Sequence, residues 1–309
     1  MNKKVKAAVI QVGSEICNLH ANLEKVKDWT KRAALQGANL VLFPEAFISG
    51  YPHGCDFGAR VGYRTSQGRE EFLKYWDSSV IVPGEATDFL AETARENNVY
   101  LIVGIVEKDS NTLYCSVVFF SPEGEYLGKH RKIMPTAVER LIWGQGDGST
   151  LSVFDTEIGK IGSVICWENY MPLLRTYMYS QGIQIYCAPT ADSREEWIST
   201  VRHIAMEGRC FVLSCCQYLE RKNYPENMNM DDEHEVLMSG GSCIINPMGQ
   251  IIAGPIYGRE CIILSDIDLD EIIRGKFDFD VTGHYSRPDI FQLVMNKGFS
   301  ADLQFTSFI

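Results

Sequence analysis

Short β-branched runs alternate with helix-period segments along most of the chain. That rhythm confines it to an α/β architecture, with strands side by side and helices on their faces. VKAAVIQV (5–12) reads as a strand and 19–36 as an amphipathic helix, and ANLVLFPE (38–45) reads as a strand running into a loop. The rhythm continues with a helix over 85–97 and the strand VYLIVGIVEK (99–108). The strand GKIGSVIC (159–166) then leads into a helix over 170–181. IQIYCAPT (183–190), a helix over 194–208 and FVLSCCQY (211–218) follow. In that last helix Trp197, Val201, Ile204, Ala205 and Gly208 fall on one face, the stripe a core-packed helix needs. Two segments break the alternation: CSVVFFSPEGEYLGKHRK (115–132) and GSCIINPMGQIIAGP (241–255) each read as strand, tight turn, strand. Consecutive strands of this kind put antiparallel portions into the same sheets, so mixed sheets covered by helices are expected. No linker or repeat divides the chain. One domain over 1–295 and a tail over 296–309 are expected, with YPENMNMDDEHE (224–235) as an exposed loop.

Composition narrows the function. With 309 residues, 45% of them hydrophobic, the chain can bury a substantial core. Its net charge of −11 repels phosphate backbones and anionic lipid, so neither nucleic acid nor a membrane surface is an expected partner. The apolar run in MNKKVKAAVIQV is too short for a signal sequence, and no stretch reaches transmembrane length; a cytosolic protein is expected. The ten cysteines are scattered through apolar segments without a C-x-x-C, the pattern of reduced core thiols. The six histidines (20, 53, 130, 203, 234, 284) form no close ligand pairs, and no G-x-S-x-G elbow exists, so zinc and serine hydrolases are unsupported. GQGDGS lacks the Lys-Ser/Thr ending of a phosphate loop. No cofactor and no metal are expected.

Three segments carry candidate chemistry. In VICWENYMPLL (164–174) a strand ends at Cys166 and a helix follows, which places the thiol at a sheet edge near a helix N-terminus that favours thiolate. In NLVLFPEAFISGYP (39–52), Glu45 follows a strand covered on both faces, where poor solvation raises a carboxyl pKa towards that of a general base. In GKHRKIMPTAVERLIWGQGDGS (128–149), Lys132 ends a basic cluster just before Pro135 stops regular pairing, so its side chain can fold inward. Each residue also has a plain reading: a core cysteine, a helix cap or surface acid, a solvated basic face.

Together the three resemble the Glu-Lys-Cys triad of the nitrilase superfamily: a glutamate in FPE, a lysine in HRK and a cysteine in CWE. FPEAFISGYP, KHRKIMPTAVERLIWGQGDGST, CWENYMP, YCAPTAD, HIAMEGRCFVLS and GHYSRP all look like true nitrilases, plant-type and related bacterial, in order from about residue 5 to 295. The resemblance implies a four-layer αββα sandwich with two mixed β-sheets, assembled as a homodimer or higher homo-oligomer. It implies Cys166 as nucleophile, Glu45 as general base, Lys132 as the catalytic lysine and Glu139 as a second glutamate that positions substrate or holds the lysine. The implied reaction takes a nitrile to the carboxylic acid and ammonia through a thioimidate and a thioester. Tyr51, Trp167, Pro189 and Thr190 match positions that line the substrate site, the last two read here as a turn. Tyr170 departs from the arginine of the plant CWENRMP, which argues against transferring a polar cyanoamino-acid substrate. The alternatives are an amidase or carbamoylase of the same superfamily, and an inactive scaffold of the same fold. His203 and Glu207 read as an ordinary i,i+4 helix pair.

Overall fold

A strand apolar on both faces needs cover on both, and this protein meets that need by stacking two sheets and placing helices outside each. The computed structural model describes residues 4–226, 228, 230 and 232–298. In chain order it runs β1 (Lys4–Gln11), α1 (Leu19–Leu35), β2 (Leu40–Leu42), β3 (Ala59–Arg60), β4 (Tyr63–Arg64), α2 (Ser66–Asp77) and α3 (Glu85–Asn97). Then come β5 (Tyr100–Asp109), β6 (Thr112–Phe120), β7 (Tyr126–Arg131), β8 (Val153–Thr156), β9 (Gly159–Ser163), α4 (Pro172–Ser180), β10 (Ile185–Thr190) and α5 (Glu195–Gly208). The chain continues with β11 (Phe211–Cys216), β12 (Tyr218–Glu220), β13 (Val236–Ile245), β14 (Ile251–Tyr257), β15 (Cys261–Asp268) and α6 (Asp270–Asp278).

One sheet has the order β15-β1-β2-β5-β6-β7 and the other β12-β13-β11-β10-β9-β8, with β14 on β13. Parallel cores, β1-β2-β5 and β9-β10-β11, carry antiparallel flanks, so both sheets are mixed as expected. The period-2 alternation sorts each strand's side chains between two cores. Val5, Ala7 and Val9 of β1 face Ile185 and Cys187 of β10 and Phe211 and Leu213 of β11 across the sheet–sheet interface. Ala8 and Ile10 point outward to Leu23, Val26 and Trp29 of α1 and Leu90 of α3. On the far side Tyr186, Ala188 and Val212 meet Leu174 and Met178 of α4 and Trp197, Val201 and Ile204 of α5. The layers are therefore α, β, β, α.

The structure corrects several sequence readings, and two corrections matter for chemistry. β2 stops at Leu42 rather than running to residue 45. Beyond it Phe43 N bonds Ile102 O and Ile48 N bonds Gly104 O, so the chain arches over β5. Gly104 permits this: a Cβ there would lie 2.0 Å from Pro44 O and 2.9 Å from Glu45 Cα. β9 stops at Ser163, three residues short of Cys166. The loop over 224–235 is not simply exposed: Tyr224 is buried with its hydroxyl donating to Tyr51 O (2.9 Å), and Asp232 pairs with His53 (2.9 Å). Residues 227, 229 and 231 of that loop, and 299–309 of the expected tail, lie outside the described residues. Sequence reading passed over α2, α6 and β15, although β15 pairs with β1 along eight residues. No helix among the described residues is long and apolar enough to cross a membrane.

Candidate active site

Glu45, Lys132 and Glu139 leave different segments and meet in one buried cluster. Glu45 sits on the arch after β2, with the next residue, Ala46, at φ 47°, a left-handed conformation that turns the chain sharply. Lys132 directly follows β7, and its N–H still bonds Cys115 O of β6 (2.8 Å). Its side chain is fully enclosed, with Nζ donating to Glu45 Oε1 (2.7 Å) and Glu139 Oε2 (2.7 Å) and lying 5.8 Å from the Trp143 ring centroid. Glu139 belongs to a 3-10 turn (Ala137–Leu141), where its Oε2 also accepts from Thr136 N (2.6 Å). The Tyr51 hydroxyl donates to Glu139 Oε1 (2.7 Å). Burial and the nearby Glu139 charge hold that phenol well above its usual pKa, so it stays a donor.

Ionisation in this cluster is decided by burial against charge. Burial raises the Glu45 pKa above 4.5; attraction to Lys132 opposes the rise, repulsion from Glu139 adds to it, and hydrogen bonds from Lys132 and Cys166 pull it back. Glu45 Oε2 has no well-formed hydrogen bond, so the Cys166 thiol is near enough to bias the carboxyl without capping it. Burial alone would pull the Lys132 ammonium down, but Glu45, Cys166 and Glu139 outweigh it and hold the pKa well above 10.5. Lys132 is a fixed cation.

Cys166 opens a 3-10 turn (Cys166–Tyr170) that leads into α4. It sits at φ 49°, a left-handed and strained conformation for a residue with a Cβ. Only 4% of the residue is exposed. Burial, and next the Glu45 charge, push the thiol pKa up, while Lys132 and a hydrogen bond from Thr190 pull it down; the net shift is upward. The expectation that a helix N-terminus holds a thiolate therefore fails. Burial outweighs the partial charge of a short turn, and the resting group is a thiol.

Thr190 lies inside β10 rather than in a turn. Its Oγ1 accepts from Asp192 N (2.9 Å) and donates to Cys166 Sγ (3.2 Å). Pro189 is buried in the same strand opposite Cys215. Trp167 is 41% exposed, with its Nε1 donating to Asp192 Oδ2 (2.9 Å) and the Arg194 guanidinium 5.2 Å from its ring. It borders a cavity of about 280 Å³ lined also by Met134, Pro135, Thr136, Ala137, Arg140, Glu168 and Met171. That cavity runs between the segment after Lys132 and the segment after Cys166. Of the eight residues singled out in the sequence, Glu45, Lys132, Glu139, Tyr51, Cys166 and Thr190 form one connected cluster. Trp167 stands at its rim, and Pro189 is enclosed in a strand.

Sequence reading missed the groups that hold these residues. Gln217 Nε2 donates to Glu45 O (3.1 Å), and its Oε1 accepts from Ser14 N (3.0 Å) and Oγ (2.8 Å). Cys115 Sγ approaches Glu45 Oε1 (3.6 Å). Asn169 Nδ2 donates to Val164 O (2.9 Å) and Cys166 O (2.8 Å), closing the elbow. Glu168 is buried below Ile133 and Ile165. Polar residues one to three positions past a candidate nucleophile were the available signal. His203 and Glu207 lie 3.6 Å apart, and Glu207 also takes Arg175 (2.8 Å) and Tyr179 (2.8 Å). No group of His, Cys, Asp and Glu among the described residues could hold a metal.

Residues 6–277 match the carbon-nitrogen hydrolase family. The chain is 52% identical over 297 residues to an aliphatic nitrilase of Sinorhizobium fredii, covering 95% of this chain and 96% of that one. It is 52% identical over 314 residues to a bifunctional nitrilase/nitrile hydratase of Lupinus angustifolius, covering 98% and 89%. It is 51% identical to nitrilase 1 of Arabidopsis thaliana, covering 95% and 87%. Among solved structures, Nit3 of Saccharomyces cerevisiae, a member of branch 10 of the nitrilase superfamily, superposes with a TM-score of 0.72 at 24% identity, covering 91% of this chain and 96% of that one. The NitFhit protein of C. elegans gives 0.75 at 20% identity, covering 99% and 71%. These two likenesses are of fold.

Proposed function

This chain belongs to the carbon-nitrogen hydrolase family, and we propose that it is a nitrilase in which Cys166, Glu45, Lys132 and Glu139 carry the reaction. One observation supports this assignment above the rest. A fully buried ammonium sits 2.7 Å from each of two carboxylates, one of which neighbours a buried thiol on a strained elbow. A buried cation with two acids is costly to keep for packing alone, and it suits charge stabilisation in a dry site.

A nitrile carbon is a weak electrophile and a neutral thiol a weak nucleophile, so attack needs a base and an acid together. Glu45 takes the proton from Cys166 Sγ as sulfur bonds to the nitrile carbon. Lys132 stabilises the charge gathering on nitrogen, and Glu45 passes the thiol proton to that nitrogen, which leaves a thioimidate and returns Glu45 to its carboxylate. Water, giving a proton to Glu45, adds to that carbon. The tetrahedral species then expels ammonia and becomes a thioester. A second water releases the carboxylic acid and returns the proton to sulfur, so one nitrile and two waters yield one acid and one ammonia. Thr190 Oγ1, already accepting from Asp192 N, has its own proton free to hold the departing and returning sulfur. Glu139, fixed by Tyr51 and Thr136, keeps Lys132 aimed.

The cavity beside Trp167, walled mainly by Met134, Pro135, Ala137 and Met171 with Arg140 and Glu168 also on its lining, suits the organic group of an aliphatic, aryl or arylaliphatic nitrile. The whole fold over 1–295 is read as a single catalytic domain. Ile273 and Phe277, one turn apart on α6 and 68% and 86% exposed, support self-association into a homodimer or higher homo-oligomer. The unpaired cysteines suit a reducing cytosol.

The deciding assay compares ammonia release from a panel of nitriles with release from their matching amides. Nitrile turnover should exceed amide turnover throughout; equal or faster amide hydrolysis would assign the site to an amidase. A second expected result concerns pH. Glu45 must be ionised to act, and its pKa lies above 4.5, so the acid limb of kcat/KM should fall above that value. Glu139→Gln removes a negative neighbour that raises Glu45 and leaves Lys132 to Glu45 alone. Both changes favour the carboxylate, so the acid limb should move to lower pH. A shift to higher pH would contradict Glu45 as the base.

A further inference from the structure

Lys132 and Cys166 follow strands of different sheets, β7 at the edge of one and β9 within the other. Their relative position therefore depends on how the two sheets are tied together beneath the site, since neither strand pairs with the other. One side chain bonds the main chain beside both residues. Glu168, 1% exposed, accepts from Ile133 N through Oε1 (2.5 Å) and from Ile165 N through Oε2 (2.9 Å). Ile133 directly follows Lys132, and Ile165 directly precedes Cys166. His130 Nε2, on β7 and also 1% exposed, completes the set at 3.0 Å from Oε2. His130 Nδ1 is buried without a hydrogen-bond partner, so the tautomer with its proton on Nε2 is the one that leaves no buried N–H unpaired.

We propose that Glu168 is a positioning residue whose carboxylate, bonded to the main chain beside Lys132 and beside Cys166, sets the separation of ammonium and thiol. A helix-capping role accounts for Oε2, which reaches back to Ile165 N at the start of its own 3-10 turn. It does not account for Oε1, which crosses to the other sheet. Two main-chain donors facing one side chain require two acceptors. A carboxylate supplies both, whereas an amide offers one acceptor and turns an NH2 against the other N–H. The proposal rests on the nitrilase reading of the site, because the separation matters only if Lys132 and Cys166 act together.

The test is steady-state kinetics of the full-length protein with a nitrile substrate, read as ammonia release, alongside thermal melting. For Glu168→Gln, kcat should fall about 10²-fold, as expected for a misplacement near 1 Å, with KM within about threefold of the parent. A loss of stability alone would lower the amount of folded enzyme without this split per folded molecule. His130→Gln keeps both main-chain bonds and should lose less in kcat than Glu168→Gln. Should Glu168→Gln give no folded protein, Glu168→Asp carries the test. It keeps the charge beside His130 but is one methylene too short to reach both N–H groups, and the same kcat loss is expected. The proposal is overturned by a kcat within about threefold of the parent in the deciding variant, or by a His130→Gln loss as large as that of Glu168. Failure of both Glu168 variants to fold leaves the residue a structural role only and also overturns it. Cys166→Ala run in parallel separates the two levels. Turnover surviving there defeats the nitrilase reading of the site, while a dead Cys166→Ala beside an active Glu168→Gln defeats only the bridge.

Discussion

Cys166→Ala is expected to stop nitrile turnover, with ammonia release falling about 10⁴-fold or more, because the proposed covalent intermediate forms on this sulfur. The fold should survive. The side chain removed is small and buried, and its polar contacts are a bond from Thr190 Oγ1 to sulfur and the interaction with the Glu45 carboxyl. Alanine meets the left-handed φ of 49° at the same steric cost as cysteine. Intact-mass measurement adds a direct check. The parent incubated with a slowly turned-over nitrile should carry a substrate adduct on residue 166, and the variant none. Near-parent ammonia release from the folded variant would remove sulfur from the mechanism, whatever else the site does.

Lys132→Met should lose both activity and stability. The ammonium is the charge stabiliser for the step at nitrogen, and losing such a group costs about 10²–10³-fold in kcat. Among the described residues it is also the only ion-pair partner of the buried Glu45 carboxylate, and it pairs with Glu139 as well. Removing one member of a buried ion cluster leaves uncompensated charge, a loss of about 3–5 kcal/mol. The pH dependence gives the loss a signature. Without the cation the buried Glu45 carboxyl loses the attraction that opposes burial and is still harder to ionise in the folded state than in the unfolded chain. The folded protein then holds more protons than the unfolded one from pH 4.5 upward. Stability of the variant should therefore fall as pH rises through that window. Denaturation of parent and variant at pH 5 and pH 8 measures this. A variant as stable as the parent at pH 8 would show that the cluster is not the buried ion set described.

Trp167 and Pro189 show how far sequence alone reaches into a site. Both were placed at the substrate site by the resemblance to nitrilases rather than by their local pattern. Their roles were not legible. Trp167 turns to the surface, where Asp192 and Arg194 hold it, and Pro189 is locked opposite Cys215. Which way a side chain points at a strand end depends on where the neighbouring strand departs, and β9 leaves β10 after Cys187. The Cys166 ionisation state was misjudged for a related reason. A helix start can be read from a sequence, but the depth of the sulfur below the surface cannot.

Most of the order of strands and helices, the mixed character of both sheets and the positions of Glu45, Lys132 and Cys166 just beyond strands were determined by the sequence itself. Those features follow from periodicities within about ten residues, and local backbone sterics and burial are enough to specify them. The tertiary structure alone decided that Tyr51 bonds Glu139, that Thr190 points its hydroxyl at sulfur, that Glu168 spans Ile133 and Ile165, and that β15 returns to pair with β1. Each of these is a contact between segments 24 to 88 residues apart or more, except the local bond from Ile165 to Glu168. Such contacts exist only once two sheets have stacked at a fixed register, and hydrogen-bond geometry over a few tenths of an ångström then selects which polar groups meet.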